Sequence, residues 1–439
     1  MDVNVVEQAD NLMRILAIII FLGIVLTKVS KKINIPDVVL YIAAGIIVGP
    51  AVFNIIDFSQ FGTINQLILE FGAAYILFDG GREIAVGVLN EVKVTVGLLA
   101  TMGVLISAVL TGFFAMHILH IDFIYAVLLG AVIASTDPSV LVPLFKNMNI
   151  SPKLKQTIIS ESAFNDAAGA IITFAIVAIA AGGSFSVGGS LLDLLKTAGG
   201  GILVGGVVGY IGNQLVCEGK FGVCRGFTAE MAIASVLGAY VISLYIGVSG
   251  FMAAFTVGMI CGNKSIFNIK TVEESHVTHG IFKDVTISII RMLIFMLLGI
   301  QMNFGIISQF WGEALILIMV FVFVVRPISV LLTVPFDRKA KWNIREIAYL
   351  CWIRETGVIP AALAGLLITM NIPNAELISA VTSMAIIITL TFQASTAKYF
   401  ARVLKLEIEP ENKVEIIPGK INLDNQILRP SVNRNSHKI

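Results

Sequence analysis

The sequence predicts an all-α polytopic membrane protein with about thirteen transmembrane helices, on three observations. Of its 439 residues, 57% are hydrophobic and only 13% charged, with a mean hydropathy of +0.91. That is too little charge for the surface of a soluble fold of this length. Apolar windows long enough to cross a bilayer recur along the chain, and Lys and Arg collect in alternate connections between them. The formal net charge of +1 points to no nucleic-acid partner. The four cysteines, at 217, 224, 261 and 351, have neither metal-clip spacing nor a histidine cluster beside them, and read as inert thiols.

In order, the windows fall at 11–28, 36–53, 64–79, 91–117, 123–146, 154–182, 188–213, 227–246, 249–263, 276–302, 309–334, 343–370 and 375–402. The first is preceded by Asp2, Glu7 and Asp10 rather than by a basic segment, so it is expected to be a retained helix and not a signal peptide. Basic residues mark the odd-numbered connections: Lys28, Lys31 and Lys32; Arg82 and Lys93; Lys146, Lys153 and Lys155; Lys220 and Arg225; Lys264 and Lys270; Arg338, Lys339, Lys341 and Arg345. The connections after helices 2, 4, 8, 10 and 12 contain no Lys or Arg. Basic loops stay cytoplasmic, so the N-terminus is expected outside and the C-terminus inside. Residues 403–439, with Pro410, Pro418 and Pro430, read as a polar cytoplasmic tail of little fixed structure. The glycines at 199–201 and 205–206 in the seventh window read as close helix packing, because no Gly-Lys-Ser/Thr follows to make a nucleotide loop. His117 and His120 read as interfacial residues at an outer helix end.

Two windows are interrupted. Helix 5 contains Ala134-Ser135-Thr136-Asp137-Pro138, where the proline removes a donor and clashes with the preceding turn. Helix 12 contains Arg354-Glu355-Thr356-Gly357-Val358-Ile359-Pro360. Two discontinuous helices seven apart fit a pair of inverted six-helix repeats joined by one helix, and such breaks mark a transporter's binding site. Between them, Ser160-Glu161-Ser162-Ala163-Phe164-Asn165-Asp166 places two carboxylates in a membrane-spanning helix. A mid-membrane acid costs at least ~2.5 kcal/mol and is a functional-site hypothesis by default. Ser162 and Asp166 are i,i+4 neighbours, as are Glu161 and Asn165. Oxygen donors of this kind suit a hard cation and a proton. The blander reading, polar glue between helices, usually employs Ser, Thr or Asn rather than a pair of acids.

Thr136-Asp137-Pro138 followed by Glu161-Ser162 and Asn165-Asp166 resembles the NhaP-type monovalent cation/proton antiporters, relatives of the sodium/proton exchangers. Similar pieces recur in order: Ile35-Pro36-Asp37, the run 77–81 around Asp79, Arg291 before Ile294-Phe295, Arg326-Pro327, and the run 357–362. The resemblance covers about residues 10–402. It implies an antiporter fold with two crossing discontinuous helices, in a transmembrane domain 1–402 with core helices at about 91–182 and 309–402 and interface helices at about 11–79 and 188–302. It implies that Asp166, Asp137, Ser162 and Thr136 bind the cation or proton, with Asn165, Glu161 and Arg326 as support and Glu161 paired to Arg326. Asp79, Arg291, Arg354 and Glu355 are implied as accessory residues, and Asn165 marks the electroneutral branch. The family often places an arginine directly before the helix 12 glycine; here Thr356 stands there, with Arg354 two residues earlier beside Glu355.

The expected function is electroneutral Na⁺/H⁺ exchange in the plasma membrane, serving pH homeostasis, by a homodimer with no cofactor beyond the transported Na⁺ and H⁺, or K⁺ or Li⁺. K⁺/H⁺ exchange on the same fold is the alternative, since carboxylate and hydroxyl ligands do not rank the two ions. A cation channel would tend to show a repeated pore loop. An intramembrane aspartyl protease would need Tyr-Asp and Gly-x-Gly-Asp motifs, which are absent; the chain is not expected to be an enzyme.

Overall fold

The computed structural model describes residues 2–33, 35–56, 61–136, 145, 148, 150–180, 187–218, 222–266 and 273–407. Asp137, Pro138 and the tail beyond 407 lie outside the described residues. Within them the chain is helical and contains no strand. The helices are α1 (Asp2–Ile33), α2 (Asp37–Val48), α3 (Gly62–Glu83), α4 (Val86–Leu98), α5 (Val104–Leu119), α6 (Phe123–Ile133) and α7 (Pro152–Ala180). There follow α8 (Val187–Leu215), α9 (Thr228–Ile246), α10 (Gly250–Gly262), α11 (Glu273–Ile300), α12 (Phe304–Val320) and α13 (Arg326–Leu331). The last are α14 (Ile344–Trp352), α15 (Val358–Thr369), α16 (Ala375–Ile388) and α17 (Ser395–Val403). Among the described residues, six helical stretches are both long and apolar enough to cross a membrane alone.

Several apolar windows are one continuous rod carrying a wide π turn. Leu99–Gly103 joins α4 to α5, Phe321–Val325 joins α12 to α13, and Thr389–Ala394 joins α16 to α17. A π turn displaces one backbone hydrogen bond and turns the following side chains, and such turns gather at functional sites. Here the Gly103 carbonyl in the first of them accepts a hydrogen bond from Ser329 Oγ at 2.9 Å.

Packing follows small residues. α3 lies along α10, α2 along α11, and α8 along α10. At the α8–α10 seam, a methyl group added at Gly201 or Gly205 would run into the backbone carbonyl of Ser249 or Ala253. Gly199 and Gly206 of the same run have open space beside them, so only part of that glycine cluster serves close approach. A second group of helices surrounds α6: α5 lies along it, and α7 and α16 also touch it. α15 reaches across to both α3 and α11, and α3 also touches α7.

Among the ends that carry the basic connections, a polar knot ties the start of α7 to the connection before α14. Asp337 accepts from the Thr95 backbone N–H at 3.0 Å and the Thr95 hydroxyl at 2.7 Å. Lys153 at the start of α7 pairs with Glu346 at 2.9 Å and lies over the Trp342 ring. Asn343 and Glu346 form a capping box that starts α14.

Candidate functional site

The two breaks come together. α6 stops at Ile133, and Ala134, Ser135 and Thr136 continue without helical structure, against the middle of α7. α14 stops at Trp352 and α15 restarts at Val358, leaving residues 353–357 out of helix and buried. Pro360 falls in the first turn of α15, where its missing N–H has no helical partner to lose.

Backbone groups released by a break in a low-dielectric interior must be satisfied by side chains. At the first break the partners come from α7. Asn165 Oδ1 accepts from the Thr136 N–H at 3.0 Å, and its Nδ2 donates to Thr136 Oγ1 at 2.8 Å. Ser162 Oγ donates to the Thr136 carbonyl at 2.6 Å. Ser135 Oγ lies 3.4 Å from the Asn165 carbonyl, and Gly169 leaves room for that hydroxyl, since a Cβ there would collide with it. At the second break Arg326 Nε donates to the Leu350 carbonyl at 3.0 Å, its Nη2 reaches Ile353 O at 3.3 Å, and Gln393 Nε2 donates to the Trp352 carbonyl at 2.6 Å. The Thr356 N–H donates to Thr389 Oγ1 at 3.0 Å. Arg326 directly follows one π turn, and Thr389 and Gln393 lie within another.

Asp166 is 7% exposed, one turn beyond Ser162 and beside Asn165. With both Asn165 amide groups engaged by Thr136, Asp166 is the acid of that pair. Thr136 O and Ser162 Oγ bond each other, yet each oxygen retains a lone pair that a cation could use. Asp137 lies outside the described residues, so its place beside these groups is not described. Among the described residues there is no cluster of three His, Cys, Asp or Glu side chains for a tightly held metal. The oxygen set instead combines a carboxylate with hydroxyl and carbonyl groups, which suits a weakly held hard cation.

Glu161, on the adjoining face of α7, forms a two-point pair with Arg326 at 2.5 and 3.0 Å, both side chains almost fully buried. Arg354 turns to the first break: its Nη2 donates to the Ala134 carbonyl, its Nη1 lies 3.3 Å from Ser107 Oγ, and its guanidinium covers the Phe321 ring. One arginine from the second break therefore supports a carbonyl of the first. Glu355 is buried beside it.

The remaining accessory candidates lie on other helices. Asp79 forms an ion pair with Lys283 of α11 at 3.0 Å, although Gly80 brings that turn of α3 against Ala163 of α7. Arg291 pairs with Asp37 at the start of α2, at 3.3 Å. Sequence reasoning did not single out Ser107, Thr389, Gln393 or Lys283. They are isolated polar residues in apolar or amphipathic runs, and their spacing alone does not reveal their partners.

Residues 16–403 match the family described as sodium/hydrogen exchanger, transmembrane. The chain is 28% identical over 407 residues to "Probable Na(+)/H(+) antiporter 2" of Methanocaldococcus jannaschii, covering 87% of this chain and 94% of that protein. It is 26% identical over 412 residues to "K(+)/H(+) antiporter NhaP" of Alkalimonas amylolytica, covering 92% of this chain and 69% of the other. Among solved structures, the sodium proton antiporter MjNhaP1 from Methanocaldococcus jannaschii at pH 8 superposes with a TM-score of 0.76 at 25% identity, covering 87% of this chain and 98% of that one. A membrane-embedded acid beside two facing helix breaks is thus found on a chain that belongs to the sodium/hydrogen exchanger family, the cation/proton antiporters.

Proposed function

We propose that this antiporter exchanges one proton for one Na⁺ at Asp166, by alternating access and without moving net charge. The arrangement that carries the reading is Asp166 beside an unwound backbone whose Thr136 carbonyl and neighbouring Ser162 hydroxyl are already oriented by α7. Protonated, Asp166 is neutral and repels nothing. Ionised, it takes a cation from the hydrated side, with Ser162, Thr136 and Asp137 offering further oxygens. Either ligand neutralises the carboxylate, and only the neutral site crosses the apolar barrier between the two sides. Competition at one acid is therefore sufficient for coupled exchange. Because the Asn165 amide carries no titrating proton, one proton balances one monovalent cation. Glu161 and Arg326 cancel each other in place and brace the second break, so neither adds a charge to the cycle.

Na⁺ is preferred here because relatives at 28% identity carry that ion in their names. The K⁺ reading rests on relatives at 26% named for K⁺. We further propose about thirteen spans built as inverted six-helix repeats, with the N-terminus outside and the C-terminus in the cytoplasm, in the plasma membrane. The moving core would be about residues 91–182 and 309–402, working against interface helices at about 11–79 and 188–302 that also form a homodimer. The test is proton movement in proteoliposomes, read by a pH-sensitive dye as NaCl or KCl is added, with and without an imposed potential. Exchange with Na⁺ that is indifferent to potential is the expected result. A K⁺ response alone selects the second reading, and a steady current under an ion gradient selects a channel instead.

A further inference from the structure

One polar cleft lies away from Asp166, which is not among the residues that line it. It has a volume of about 630 Å³ and is lined by His120 after α5, Phe310 of α12, and Asn371, Asn374 and Glu376 around the α15–α16 connection. All of these come from or adjoin connections that lack Lys and Arg, the side read above as outer. Glu376, in the first turn of α16, is exposed and accepts a hydrogen bond from Asn303 at 2.8 Å. Inward from it, α16 carries Ser379, Thr382 and Ser383 and the π turn that follows begins with Thr389, at spacings that keep all four on one side of the rod. All four are buried, and the last donates toward Ala385 O while holding the Thr356 N–H of the second break.

Hydroxyls that only help helices pack normally donate to a carbonyl one turn back, as Ser383 does to Ser379 O at 2.8 Å. Ser379 Oγ, Thr382 Oγ1 and Thr356 Oγ1 have no protein hydrogen-bond partner among the described residues, although each is fully enclosed. Leaving a buried hydroxyl unsatisfied costs about 1–3 kcal/mol, and two such hydroxyls on α16, inward of a polar cleft, with a third in the second break, are satisfied most simply by water. We infer that this side of α16 is the outer access route, a hydrated track by which the transported cation and proton pass between the Glu376 cleft and the helix breaks. The route rests on the antiporter reading above. The carboxylate at its mouth attracts cations, the hydroxyls replace part of their water shell, and Arg354 links its inner end to the Ala134 carbonyl, two residues before Thr136.

The test uses the full chain in proteoliposomes, its four cysteines replaced by serine, with Ser379→Cys, Thr382→Cys or, as a control on the same helix, the fully buried Val381→Cys. The probe is 2-aminoethyl methanethiosulfonate added on the side opposite the lysine-rich connections. The route requires the first two positions to label severalfold faster than Val381→Cys, and labelling no faster than that control overturns it. In the otherwise native chain, Thr382→Val is expected to slow exchange severalfold while Thr382→Ser keeps it. Equal rates for all three would also overturn the route. Exchange by the unsubstituted chain, read first, tests the antiporter assignment independently, because thiol labelling needs no transport.

Discussion

At the scale of single residues, the proposed exchange separates the role of Asp166 from that of the side chains that brace the breaks. Replacing Asp166 with Asn keeps the shape and hydrogen-bonding capacity but removes the carboxylate proposed to alternate between proton and cation. Exchange is therefore expected to vanish from the dye assay while the protein inserts and melts as before; exchange that persists in vesicles removes Asp166 from its role. Arg326→Ala should behave differently. It strands Glu161 in an enclosed position and releases the Leu350 and Ile353 carbonyls, and breaking such a buried pair typically costs about 3–5 kcal/mol. Both thermal stability and transport should fall, and an unchanged melting temperature would argue that the pair contributes nothing. Gly169→Ala is the subtle case: the added methyl meets Ser135 Oγ, so the unwound segment must shift away from α7. Exchange should drop severalfold with little change in expression, which a rate measurement alongside a melting curve would show.

At the scale of helices, the breaks persist because neighbouring rods supply what they lack. α7 answers the first break with Ser162 and Asn165, while the segment around α13 and the π turn before α17 answer the second with Arg326, Thr389 and Gln393. Each π turn rotates the side chains that follow it relative to an ideal helix, and two of them bring such partners to residues 352–356. Gln393→Leu removes the donor to the Trp352 carbonyl and puts a shorter apolar side chain in its place. The expected loss is about 1–3 kcal/mol for an orphaned buried acceptor, visible as a lowered melting temperature; no change would mean water takes the place of the amide. The seams elsewhere obey a different rule. α8 and α10 approach through Gly201 and Gly205, whose hydrogens face carbonyls, so Gly205→Leu should separate those helices and reduce the yield of folded protein.

For the whole molecule, the distribution of charge decides how the exchanger couples to the membrane. The transmembrane potential does work of ~2.3 kcal/mol per charge per 100 mV, so a cycle that moves no net charge is untouched by it. A gradient of one pH unit, worth ~1.4 kcal/mol, then sustains about a tenfold cation gradient at any potential. Sodium gradients measured in proteoliposomes at several imposed potentials should coincide. A steady dependence on potential would require a second proton per cycle, for which Asp137, next to Thr136 in sequence, is the candidate acid.

Much of this was legible in the residue order. The acids of 161–166, the interruptions read at 134–138 and 354–360 and the run of apolar windows are local patterns, and the cost of placing charge or broken helix in hydrocarbon makes them conspicuous. Glu161 and Arg326 are 165 residues apart, and only the resemblance to relatives could name them as partners; the fold brings them within hydrogen-bonding distance. The orientation of Arg354 toward Ala134 rather than along its own segment, the capture of Asp79 by Lys283 and of Arg291 by Asp37, and the use of Thr389 and Gln393 as backbone partners were not legible. Sequence by itself determined the membrane class, the helix breaks and the pair of buried acids in α7, because burial in lipid penalises polar groups one by one. Tertiary structure alone decided which distant group satisfies each of them, because a hydrogen bond depends on position and direction that spacing along one chain does not contain.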